Sequence, residues 1–238
     1  MRRIGLIGGM SFESTAVYYR LINEMVRDRL GGLASADILL HSVNFSEVVE
    51  LQKAGRWDLA AAHLAASAGK LAQAGADCVL ICTNTMHLVA DEVQAAVDVP
   101  LINIIDEMAE ALQARELKRP LLLATRYTME HGFYADGMRK HGIEIMVPDE
   151  HDRAAMHDII FGELCAGTVS DSSRARALAM IEKAKAHGAD SVILGCTEIC
   201  LLIVPEHLPL PGLDSTAVHA CAAVRFALAD HEGARVAA

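Results

Sequence analysis

Cys196, Thr197 and Glu198 stand together at the end of an apolar run, in SVILGCTEICLL over 191–202. A thiol, a hydroxyl and a carboxylate side by side are the parts of a proton-transfer site, because a thiolate is a base able to take a proton from carbon. A helix is expected just after Cys196, so first-turn amides and the helix dipole are expected to lower its pKa. A cysteine without such polar neighbours is ordinarily a small buried hydrophobe. That plainer reading holds for Cys78, Cys82, Cys165, Cys200 and Cys221. A related cluster ends another apolar run, where Thr83, Asn84 and Thr85 follow ADCVLIC. AGADCVLICTNT at 74–85 aligns without gaps with HGADSVILGCTE at 187–198, which sets Thr83 on Cys196, Asn84 on Thr197 and Thr85 on Glu198. In open α/β sheets functional groups gather beyond the carboxyl ends of strands. Two proton-handling groups on opposite faces of one carbon are what a stereoinversion needs. Asn84, Thr85 and Thr197 add donors for a carboxylate, which sits well at helix N-termini.

The elements that must carry these residues alternate along the chain. Strands are expected at RRIGLIGG, ADILLHSVNF, ADCVLICTNT, VPLINIID, RPLLLAT, IEIMVP and ADSVILGCTE. Helices are expected at SFESTAVYYRLINEMVRDRL, RWDLAAAHLAASAGKLAQAG, HLVADEVQAAV, MEHGFYADGMRKHG, EHDRAAMHDIIFGELCAG and SRARALAMIEKAKAHG. Continuously apolar strands between helices predict parallel sheets covered on both faces. IGLIGG and PLLLAT open the two halves, and PLINIID and PLPGLD close them, each led by a proline. The pattern therefore predicts a duplicated α/β chain: two pseudo-symmetric, Rossmann-like lobes with a cleft between them. The first lobe is expected over 1–98 plus 208–238 and the second over 99–207.

Composition narrows the partners. The chain has 238 residues, 53% hydrophobic and only 4% aromatic, with a formal net charge of −10. A sizeable core is affordable at that length, while stacking platforms for single-stranded nucleic acid are not expected. The negative charge argues against phosphate backbones and anionic membrane surfaces, and no apolar run reaches the roughly 18 residues of a membrane span. MRRIGLIGGM is too briefly apolar for a signal peptide, which predicts a cytoplasmic protein with free thiols. Cys78 to Cys82 and Cys196 to Cys200 are spaced CxxxC, which matches no common zinc pattern, so no metal is expected. GLIGGMS lacks GxGxxG spacing; Gly8 and Gly9 instead suit close approach of backbone to a small ligand. His87 reads as a first-turn helix residue, and Arg126 as either a substrate cation or a solvated side chain.

GLIGGMS at 5–11, CTNTMH at 82–87 and GCTE at 195–198 resemble the PLP-independent aspartate/glutamate racemase family, over most of the chain and with the order of the three motifs intact. GCTE is closer to the aspartate racemase branch than to the GCTH form of glutamate racemases. The resemblance implies a small amino-acid substrate, no cofactor, a homodimer, and two catalytic cysteines, one per lobe, with the second-lobe cysteine acting on the proton of the L-isomer. It implies that Met10, Gln52, Asn84, Thr85, Thr197 and Glu198 line the substrate site. The chain departs from the family at the first cysteine, where Thr83 stands. Side chains alternate along a strand, so Cys82 is expected to point away from the side Thr83 faces. Thr83 then takes the first catalytic place opposite Cys196, as in an enterobacterial branch with threonine there. A hydroxyl can donate a proton to a carbanion but cannot readily start as a base, so the two faces are expected to play unequal roles. Beside a racemase of aspartate or glutamate, the residues leave open a broad-specificity racemase of neutral amino acids, a one-thiol isomerase or decarboxylase of the same superfamily, and a non-catalytic ligand-binding member.

Overall fold

Four of the apolar runs become strands with every residue buried, or nearly so: β1 (Ile4–Gly8), β3 (Cys78–Ile81), β4 (Pro120–Leu123) and β5 (Ser191–Leu194). Two more, β2 (Ile38–Ser42) and β6 (Gly212–Asp214), complete two parallel sheets, ordered β2-β1-β3 and β4-β5-β6. The structure is a computed structural model that describes residues 1–236. It divides into two compact units: Met1–Asn103 with the chain from His219 onward, and Ile104–Val218. No helix of the described residues is long and apolar enough to cross a membrane.

The first unit packs helices on both faces of its sheet. Ile7, Val79 and Ile81 face α2 (Phe45–Lys53), α3 (Trp57–Gln73) and α4 (Ala90–Ala95). Ile4, Leu6, Cys78, Leu80 and Cys82 face the other way, against α1 (Phe12–Leu30) and α11 (Ser215–Val236). That is the period-two alternation of a strand buried on both sides. Ser11 caps α1 by accepting a hydrogen bond from the Ser14 N–H, the start signal that its sequence carried. The second unit has one core, in which β4 and β5 meet α5 (Ile104–Gln113), α7 (Phe133–Lys140), α8 (Glu150–Asp158) and α9 (Asp171–Ala186).

The duplication is visible in register. Leu101 bridges to Val79 on the free edge of β3, and Met146 bridges to Leu121 on the free edge of β4. Each unit therefore reads in one strand order, with 38–42, β1, β3 and Leu101 in the first matching Met146, β4, β5 and β6 in the second. Asp77 accepts from the Arg3 N–H at 2.6 Å, and Asp190 accepts from the Arg119 N–H at 2.9 Å, at the same point of each repeat.

Several expectations are corrected. VPLINIID and IEIMVP are single bridges rather than strands. At the first, the Gln94 side chain accepts the Leu101 N–H at 2.7 Å, and Ile104 already begins α5. At the second, Pro148 has no N–H to continue a ladder. MEHGFYADGMRKHG breaks into α6 (Arg126–Glu130) and α7 at Gly132, whose φ is 80°. The helix expected to reach Gly167 ends as α8 at Asp158, followed by a π turn at Ile159–Glu163 and a 3₁₀ turn at Leu164–Ala166. The second unit begins at Ile104 and runs on to Val218, not 99–207, because Leu101 belongs to the β3 edge and β6 pairs with β5.

Candidate active site

In the first unit the ends of β1 and β3 carry the expected residues. Gly9 turns the chain after β1 with φ 88°, and a Cβ there would lie 2.3 Å from the Val43 carbonyl oxygen, so only glycine fits. Its N–H donates to Thr15 Oγ1 at 2.8 Å, and Met10 follows, buried. At the end of β3 the Thr83 N–H donates back to Ile81 O at 2.8 Å, a tight turn that leads into a 3₁₀ turn over Thr85–Val89. Cys82 is fully buried against α1 and α11, and burial pushes its thiol pKa up. Thr83, next in line, is half-buried, and its hydroxyl has no hydrogen-bond partner among the described residues. Asn84 and Thr85 are buried beside it. Gln52 reaches the same turn from α2, its Nε2 donating to Met86 Sδ at 3.2 Å.

In the second unit β5 ends at Gly195, whose N–H donates to Leu123 O at 2.8 Å. A Cβ at Gly195 would lie 2.9 Å from Leu122 Cδ1 and 3.1 Å from Leu123 O, so the strand end is packed to the backbone. Cys196 Sγ donates to Glu198 Oε2 at 2.9 Å. Thr197 and Thr216 share a hydrogen bond of 3.0 Å, and the Ser215 hydroxyl donates to Leu194 O at 2.9 Å. Glu198 is only 6% exposed.

Here the electrostatic expectation fails. Burial first, and then the Glu198 carboxylate, push the Cys196 thiol well above its ordinary pKa. The helix that follows, α10 (Ile199–Leu202), is a single turn, too short to supply the expected macrodipole. Both influences favour the neutral thiol, which stands within hydrogen-bond reach of the Glu198 carboxylate. Cys165, read from sequence as a structural helix residue, is exposed at its surface, yet partial burial of its thiol and then Glu198 push its pKa up to about 12. Burial and Asp214 raise Cys200 likewise.

Other candidates resolve plainly. Arg126 Nε pairs with Glu130 at 3.2 Å, and Glu130 also holds Arg153 at 3.0 Å, so this cation is committed to a surface pair. Ligand atoms of Asp149, His151 and Asp152 lie within 4.8 Å of one another, but Lys183 pairs with both aspartates. His87, read as a first-turn residue, is buried, with Nδ1 2.9 Å from the Thr83 carbonyl oxygen. The CTNTMH spacing held that signal, since a residue four after a strand end on a tight turn faces back onto it.

Comparison with known proteins agrees with this layout. The Asp/Glu/hydantoin racemase family model matches residues 7–223. A crystal structure from Yersinia pestis, provisionally assigned as an Asp/Glu racemase, is 48% identical and superposes with a TM-score of 0.91, covering 96% of this chain and 100% of that one. An aspartate racemase homologue from Pyrococcus horikoshii OT3 is 34% identical, with a TM-score of 0.84 over 95% of this chain and 99% of its own. The broad specificity amino-acid racemase RacX of Bacillus subtilis strain 168 is 26% identical over 160 residues, 67% of this chain and 69% of RacX.

Proposed function

From the premise that this chain belongs to the Asp/Glu/hydantoin racemase family and is an isomerase, we propose that it racemises aspartate or glutamate by proton transfer at the α-carbon, without PLP or metal. Cys196 and Thr83 act on opposite faces of that carbon. The observation that carries this reading is the Cys196 thiol donating to Glu198 at 2.9 Å. Glu198 takes the thiol proton, and the resulting thiolate takes the α-proton of the L-isomer. The electron pair of the broken C–H bond stays on carbon, delocalised into the substrate carboxylate, which Asn84, Thr85 and Thr197 hold by hydrogen bonds. Thr83 O–H then gives its proton to the opposite face. Water returns a proton to the Thr83 oxygen and removes the surplus proton from the Cys196–Glu198 pair, so the cycle closes. Met10 and Gln52 line the same site.

One observation favours a second reading, racemisation of neutral amino acids. Arg126, the cation that opens α6, is paired with Glu130 rather than left to meet a second substrate carboxylate. A homodimer and a cytoplasmic location complete the proposal; Phe12 and Tyr19 on α1, 70% and 55% exposed, supply apolar surface for a partner copy.

The test is chiral product analysis over a panel of L- and D-amino acids, with and without added PLP and EDTA, for the unsubstituted enzyme and Cys196→Ser. The expected result is turnover indifferent to both additives and nearly abolished by the substitution. A variant that kept more than about a tenth of the rate, a loss under about 1.4 kcal/mol, would remove Cys196 as the base. Light scattering reads the assembly.

A further inference from the structure

We infer that His87 is the positioning residue for Thr83, aiming its hydroxyl at the substrate carbon; this inference rests on the proton-transfer reading above. Threonine is β-branched and stiff at χ1, so the aim of its hydroxyl follows its backbone. Two bonds fix that backbone besides the strand. The Thr83 N–H donates to Ile81 O at 2.8 Å, which folds the chain sharply as β3 ends. The Thr83 carbonyl oxygen lies 2.9 Å from His87 Nδ1. A carbonyl only accepts, so Nδ1 carries the hydrogen and donates. The His87 backbone N–H also donates to Asn84 O at 3.0 Å. One residue thus grips two successive carbonyls of the turn that presents Thr83.

His87 is itself held. It is 4% exposed, and its ring lies edge-on to the His219 ring with centroids 5.6 Å apart. His219 Nε2 donates to Ile102 O at 2.7 Å, which leaves Nδ1 to accept from the Tyr18 hydroxyl at 2.9 Å. Tyr18 is on α1, His219 on α11 and Ile102 beside β3, so the imidazole of His87 is wedged against a fixed ring anchored on three elements. Tyr18, His87, Ile102 and His219 all belong to the first unit, whereas Cys196 and Glu198 belong to the second. Loss of His87 should therefore disturb delivery from Thr83 and spare abstraction by Cys196.

The measurement follows L-aspartate and L-glutamate in heavy water, scoring two products. Deuterium in the remaining L-isomer reports abstraction and return on the Cys196 face. D-isomer reports delivery by Thr83. In His87→Leu, inversion should fall about tenfold or more, the scale on which small misplacements act, while exchange into the L-isomer falls far less. In His87→Asn the side-chain amide nitrogen takes the place of Nδ1, and the ratio of inversion to exchange should return towards that of the unsubstituted enzyme. If His87→Leu does not fold, His87→Gln replaces it, because its amide sits at the Nε2 end and leaves the Thr83 carbonyl unpartnered. Equal loss of exchange and inversion, or a ratio that His87→Asn fails to restore, would reduce His87 to a packing residue. Absence of both signals in the unsubstituted enzyme would instead remove the racemase reading itself.

Discussion

A neutral thiol facing a carboxylate is a different starting point from the preformed thiolate that a helix N-terminus would give. Burial and Glu198 raise the Cys196 pKa, so thiolate made by loss of a proton to water is scarce near neutrality. Transfer within the pair keeps its single negative charge, so its cost does not change with pH. The consequence is a particular pH behaviour. With Glu198 present, kcat/KM should stay level from neutral into mildly alkaline solution, since the thiol–carboxylate pair passes its proton internally and does not change charge over that range. In Glu198→Gln the internal acceptor is gone and the thiol must ionise to water. The rate should then be much lower at neutral pH and climb as pH rises through the thiol pKa, which itself falls when the carboxylate is removed but stays above its ordinary value because burial remains. Profiles of kcat/KM over about pH 6 to 10, a range set by the ordinary thiol value near 8.5, distinguish the cases. A Glu198→Gln profile parallel to that of the unsubstituted enzyme would mean that Glu198 does not take the proton. The contact itself was legible in the residues: GCTE places the thiol two positions from the carboxylate that it meets. The direction of the pKa shift was not, because it depends on how short α10 is and on the partial burial of Cys196 against the Glu198 carboxylate.

The elements that hold these residues are joined by buried polar contacts, and one of them titrates. His219 on α11 lies wholly inside, between the Tyr18 hydroxyl and the Ile102 carbonyl. Burial, and then the neighbouring His87, lower its pKa to about 3. In the unfolded chain an ordinary histidine titrates near 6.5. The folded state therefore refuses a proton that the unfolded state accepts between those values. Stability is fully present above about pH 6.5 and drains as pH falls towards about 3, with a slope of at most about 1.4 kcal/mol per pH unit from this group. His219→Gln keeps a donor and an acceptor but no titrating group. Denaturant unfolding at pH 7 and near pH 5 should show a smaller acid loss in the variant, and an unchanged acid loss would show that His219 is not its source. The same elements show what sequence could reveal. The central strands β1, β3, β4 and β5 were legible because burial on both faces leaves an unbroken apolar run. The edge segments were not. In PLINIID the apolar pair Ile104 and Ile105 serves the buried face of α5, with Met108, Ala109 and Leu112 at helical spacing, and a short apolar run alone does not tell the two uses apart. The helix α2, which brings Gln52 to the β3 turn, went unread for lack of a strong stripe, with only Val48 and Gln52 buried along it.

Across the whole chain, duplication explains both the likeness and the inequality of the two halves. Asp77 and Asp190 lock the starts of β1 and β4 in the same way, and Gly75 and Gly188, with φ of 93° and 92°, let Arg3 and Arg119 pass close. The repeat then diverges at its working end. Cys196 has a carboxylate to take its proton, whereas the Thr83 hydroxyl has no partner among the described residues and is bonded only through its backbone. A lone hydroxyl donates a proton to a carbanion, but its alkoxide is too costly to wait as a base. Enantiomers have equal free energy in solution, so kcat/KM for inversion must be the same from L and from D; the asymmetry has to appear elsewhere. It should appear in isotope exchange. In heavy water the unsubstituted enzyme should wash deuterium into unreacted L-substrate faster than it forms D-product, because Cys196 abstracts and returns more often than Thr83 delivers. Unreacted D-substrate should gain little deuterium, since its proton must be taken by Thr83. Thr83→Cys supplies a usable acid and base on that face. Inversion should rise about tenfold or more in both directions, at the low end of what a competent general base contributes, and exchange into D-substrate should appear alongside. Equal exchange into L and D in the unsubstituted enzyme, with no gain from the added thiol, would show that position 83 is not the second site of proton transfer.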